Sequence, residues 1–89
     1  MGKMHERVAQ AIDRSKLDLL EAEGEAAYDR MYDAHNYRDA KDAWDDCSLN
    51  LYRAIEEAKR LGLTEDAERL SARWDHCHAV WNSRFRSSF

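Results

Sequence analysis

Residues 37–61 read YRDAKDAWDDCSLNLYRAIEEAKRL, and their spacing decides the fold. Tyr37, Ala40, Trp44, Cys47, Leu51, Ala54, Ala58 and Leu61 recur at alternating steps of three and four. That is the seam of a helix packed along one face. Gly62 follows as a helix stop, and Thr64, with Glu65 and Asp66 behind it, reads as the N-cap of the next helix. Downstream, Leu63, Ala67, Leu70, Trp74, Cys77, Trp81 and Phe85 repeat the pattern, with Phe89 as a candidate cap on the Tyr37 layer. Upstream, Leu17, Leu20, Gly24, Ala27, Met31 and Ala34 make a third seam, ending at the polar junction His35-Asn36.

The seams fit one another as hairpins. Facing residues in an antiparallel pair have position numbers with a constant sum. Across Gly62, Trp44/Trp81, Cys47/Cys77, Leu51/Trp74, Ala54/Leu70 and Ala58/Ala67 all sum to 124 or 125. Across Asn36, Met31/Ala40, Ala27/Trp44, Gly24/Cys47, Leu20/Leu51 and Leu17/Ala54 all sum to 71. These registers predict three core layers: Leu20, Leu51 and Trp74; Gly24, Cys47 and Cys77; Ala27, Trp44 and Trp81. Gly24 then makes room for the neighbouring indoles, as close packing requires.

The expected fold is an all-α, antiparallel up-down-up three-helix bundle, with residues 1–89 as one domain. The helices are expected over about 3 or 16 to 35, 37–61 and 64–86. Ser15 with Asp18 marks the later start of the first helix. Residues 1–14, through Met4, Val8, Ala11 and Ile12, form a candidate amphipathic arm that either continues the first helix or serves self-association.

Composition agrees. The 89 residues contain no proline and three glycines, which favours helix throughout. Mean hydropathy is −0.87, yet nine aromatic residues at helical spacing argue against a disordered chain. The start of the chain has no apolar stretch of the signal-peptide kind, and no run is long enough to span a membrane. Its two cysteines then read as reduced thiols of a cytoplasmic protein. Net charge is −4, and residues 17–47 carry ten acids against Arg30, Arg38 and Lys41. Direct nucleic-acid binding is disfavoured, because phosphate contacts need a basic face.

Asn36-Tyr37-Arg38-Asp39-Ala40 through Trp44 to Cys47 resembles the second helix of a tetratricopeptide repeat, and is similar to the same place in three-helix MIT domains. The resemblance covers about a dozen residues and implies a helical module that binds peptides or proteins. Gly24 and Tyr28 depart from it, standing where the family has a tryptophan and a glycine.

Candidate chemistry divides between core and surface. Cys47 and Cys77 face each other in the expected register, with His78 beside them. Thiolate and imidazole suit zinc or copper, and two facing thiols suit a redox site. The simpler reading is a pair of inert thiols filling a narrow layer. The seams hold no His, Asp or Glu, so no nucleophile, base and orienter converge, and neither catalysis nor a cofactor is expected.

The surface carries the stronger signal. Asp18, Glu21, Glu25, Asp29 and Asp33 follow helical steps down one face of the first helix, and Asp39, Asp42 and Asp46 add a cluster on the second. Like charges at this spacing repel, which suits a face that docks a protein with a basic surface. Charge reversal at Glu21, Glu25 and Asp29 is then expected to abolish partner capture at unchanged melting temperature. In size and charge the chain also resembles small acidic inhibitors from phages and mobile elements, including anti-CRISPR proteins. That resemblance implies occupation of a basic site on a target protein. The chain is expected to be a monomer or a homodimer.

Overall fold

The computed structural model describes residues 13–87; most of the candidate arm over 1–14, and Phe89, lie outside them. Three α-helices follow one another: α1 over Ser15–Asp33, α2 over Tyr37–Arg60 and α3 over Thr64–Val80. A π-helical turn, Trp81–Phe85, prolongs α3. No strand occurs among the described residues, so the fold is the expected all-α three-helix bundle.

Each helix end has a local cause. α1 begins at Ser15, whose amide donates to the Asp13 carboxylate at 2.9 Å, and neither Ser15 nor Asp18 caps that end. Asn36 caps α2, its side chain accepting from the Asp39 amide at 2.8 Å. At the far end Gly62 adopts φ +75°, the left-handed conformation that favours glycine. The Gly62 amide donates to the Lys59 carbonyl at 3.0 Å and the Leu63 amide to the Ala58 carbonyl at 2.8 Å, closing a Schellman motif. That motif leaves Leu63, not Thr64, at the N-cap of α3, and no side chain caps that end.

The core contains Leu17, Ala27 and Met31 of α1, Trp44, Cys47, Leu51 and Ala54 of α2, Leu70 and Cys77 of α3, and Trp81 of the π-helical turn. The α2/α3 register stands where Trp44 meets Trp81 and in the buried Cys47/Cys77 layer, while Trp74, read as facing Leu51, is only half-buried and turns to Ser48 and Trp44. Trp44 and Trp81 stack with centroids 6.1 Å apart and planes 6° from parallel. One layer away the Trp74 indole N–H donates to the Ser48 carbonyl at 3.1 Å.

The α1/α2 register does not stand. Gly24 lies against Leu51, where an added Cβ would meet Leu51 Cγ and Cδ2 at 2.9 Å, and Arg30 bridges to Asp46 at 2.9 Å. These pairs sum to 75 and 76, so α1 has slid about one turn along α2. The connection explains the slide: α1 ends at Asp33, and Ala34 and Asn36 are extended (ψ 139° and 168°), which carries the chain past a tight reversal. Gly24 therefore makes room for Leu51, not for the indoles.

Candidate functional site

The eight candidate acids fall into two groups. Glu21 and Glu25, one turn apart on α1, face Arg69 and Arg73, one turn apart on α3. Arg69 holds Glu21 through both oxygens at 2.6 and 3.0 Å, and Arg73 holds Glu25 at 2.8 and 2.7 Å. Arg14 adds a third bridge to Asp66 at 2.8 Å, with Asp18 at its edge at 3.9 Å. Such fork-to-fork pairs fix geometry as well as charge. The Arg69 guanidinium holds the Glu21 carboxyl below its ordinary range, and Arg14, then Arg69, do the same for Asp66. Arg73 also lies over the Tyr28 ring, 4.8 Å from its centroid. Burial and the Tyr32 hydroxyl push Tyr28 up to about 12.

These bridges span a seam where the α1 and α3 backbones barely approach, since each packs mainly on α2. Glu21 and Glu25 are thus part of the bundle's closure and do not present an open acidic face. The sequence held a signal for this. Glu21/Glu25 and Arg69/Arg73 are matched pairs at i, i+4, and two helices running parallel place both pairs at a common offset of 48.

The second group lies at the α1/α2 junction. Because α1 ends early and has slid, the start of α2 projects beyond it and leaves an open groove of about 310 Å³. Asp33 from α1 and Asp39, Asp42 and Asp46 from α2 line it, with Arg30 the one cation on its wall among the described residues. Ala34 and Ala43 supply its apolar lining. Four carboxylates face one guanidinium, a local balance of −3. Arg30 is engaged by Asp46, and the Asp39 carboxylate accepts from the Asn36 amide group at 3.2 Å. Asp33 and Asp42 have no ion-pair or hydrogen-bond partner among the described residues, and neither does Asp29, which stands exposed on α1. On the first turns of α2, which also carry Arg38, Lys41 pairs with Asp45.

The core candidates separate. Cys47 and Cys77 are free and fully buried. His78 is exposed, its ring stacked on Trp44 at 5.6 Å and its Nε2 3.2 Å from the Asn82 side-chain nitrogen. Among the described residues no three His, Cys, Asp or Glu side chains converge on a point where a metal ion could be held, so Cys47, Cys77 and His78 do not form one centre. A second open groove, about 540 Å³ between the end of α2 and α3, is lined by small residues including Gly62, Ala67, Ser71 and Ala72. It contains none of the candidate residues.

No helix among the described residues is long and apolar enough to cross a membrane. Comparison with known proteins gives no match to a protein-family model, to a curated protein or to a solved structure.

Proposed function

We propose that this chain is a non-catalytic interaction module that docks a basic protein surface in the groove at the α1/α2 junction. The observation that supports it is the contrast between the two acidic groups. Where α1 meets α3, an arginine answers each glutamate. In the groove, Asp33 and Asp42 stand without a cation among the described residues, in a concave site with apolar lining. Unanswered like charges cost stability, and a lysine or arginine from a partner relieves that cost on binding.

The test is capture of partners from the native host by the intact chain, with mass-spectrometric identification, against two double variants. Asp33→Lys with Asp42→Lys is expected to lose the partner at unchanged fold. Glu21→Lys with Glu25→Lys is expected to keep it, with a lower melting temperature. Equal capture by the wild type and the groove variant would refute the assignment. A narrower form of the reading makes the chain a phage or mobile-element inhibitor whose target is a nucleic-acid-binding protein. Its acidic groove then competes for the target's phosphate-binding residues, and inhibition of such a target in vitro by the wild type but not the groove variant is the readout.

A further inference from the structure

We propose that Cys47 and Cys77 are a redox-active dithiol that hydroperoxides close into a disulfide joining α2 to α3. The inference is independent of the groove and rests on how the two thiols are held. They oppose each other across the α2/α3 interface, flanked by the Trp44–Trp81 stack on one side and the Trp74–Ser48 hydrogen bond on the other. Those contacts pin the register, so the thiols cannot slide apart without unstacking the indoles.

The pair is asymmetric. The neighbouring Cys77 sulfur and, after it, burial push the Cys47 thiol well above the ordinary thiol range. Cys47 in turn draws Cys77 down, with the Arg73 guanidinium adding to the effect. Attack is assigned to Cys77, the thiol on the Arg73 side, and resolution to Cys47.

Access comes through the α1/α3 seam. Arg73, Glu25 and Tyr28 all lie within electrostatic reach of Cys77. The Arg73 and Glu25 side chains are 34% and 37% exposed, so this ion pair borders solvent. The α1 and α3 backbones do not close beneath it. Opening of this ion pair is the proposed route for hydrogen peroxide.

The chemistry balances with that oxidant alone. Cys77 Sγ attacks one peroxide oxygen and the O–O bond breaks. Cys77 becomes a sulfenic acid, and its thiol proton leaves with the second oxygen as water. Cys47 Sγ then attacks Cys77 Sγ, the S–S bond forms, and the S–O bond breaks. The departing hydroxyl takes the Cys47 proton as a second water.

The experiment treats the reduced, folded chain with hydrogen peroxide and reads intact mass, thiol labelling after denaturation, and a peptide map. Expected are a loss of about 2 Da, disappearance of both labelled thiols and a Cys47–Cys77 linked peptide. The melting temperature is expected to rise by several degrees, since the bond closes a loop of about thirty residues. Cys47→Ser is expected to gain about 16 Da as a dimedone-reactive sulfenic acid at Cys77 instead. Glu25→Gln, which loosens the roof and removes a negative charge near the thiols, is expected to speed closure roughly threefold. Both thiols still labelling after peroxide exposure that oxidises free cysteine would overturn the proposal. So would over-oxidation without the linked peptide.

Discussion

An alanine at position 24 would place its methyl carbon 2.9 Å from both Cγ and Cδ2 of Leu51 and 3.4 Å from the Leu51 amide nitrogen. Leu51 is fully buried, and its Cγ is too near the backbone to swing aside. Two effects of opposite sign meet here. Alanine is the better helix former by about 1 kcal/mol, while overpacking a filled core costs about 1–3 kcal/mol. The steric effect wins, so Gly24→Ala is expected to lower stability by about 1 kcal/mol in urea denaturation, and Gly24→Val by more. A stabilised Gly24→Ala would show that Leu51 has room to move. The same contact shows what the sequence could and could not disclose. A small residue at this point of the seam was readable from the pattern. Which neighbour fills the space was not, because that depends on the extended turn at Ala34–Asn36, whose conformation no periodicity encodes.

Among the elements, the α2–α3 connection was the most legible. Gly62 follows a clear seam, and the structure gives it φ +75° with both Schellman hydrogen bonds. Gly62→Ala forces a Cβ into the left-handed region without new contacts, since nothing lies within 4 Å of that position. The expected loss is about 1 kcal/mol, read as a lower melting temperature with the secondary structure intact. The α1–α3 seam was the least legible, because an acidic stripe looks the same whether it meets solvent or a row of arginines. Its bridges make a pH prediction. The folded-state pKa of Glu21 lies below its ordinary value of 4.5, owing to Arg69. The ionised form is thus favoured by folding, and this contribution is complete above about pH 4.5 and is lost as pH falls through the folded value. Asp66 acts in the same direction from 3.8. Melting temperature should therefore decline below about pH 4.5, and Glu21→Gln should flatten that decline while lowering stability at pH 7. An unchanged acid profile in Glu21→Gln would place the dependence elsewhere.

For the whole molecule, the slide of α1 along α2 has a consequence that separates structural acids from those available to a partner. The early end of α1 makes Asp33 its last residue, where the negative end of the helix dipole disfavours a carboxylate. The slide sets Asp33 in one groove with Asp39, Asp42 and Asp46, where Arg30 is the one lining cation among the described residues. Asp39 differs from its neighbours, because the first turn of α2 favours negative charge and the Asn36 cap holds it. Neutralising the groove should therefore act in opposite directions at different positions. Asp33→Asn and Asp42→Asn are each expected to raise stability by a few tenths of a kcal/mol, through relief of like-charge repulsion. Asp39→Asn is expected to lower it by a similar amount, through loss of the favourable dipole interaction. If the groove serves a basic partner, the first two substitutions weaken capture while strengthening the fold, and the weakening shrinks as salt is added. Thermal melts alongside binding titrations at two ionic strengths separate the cases. Destabilisation by Asp33→Asn or Asp42→Asn would mean that these carboxylates are held by the fold itself, leaving the groove without a charge to offer.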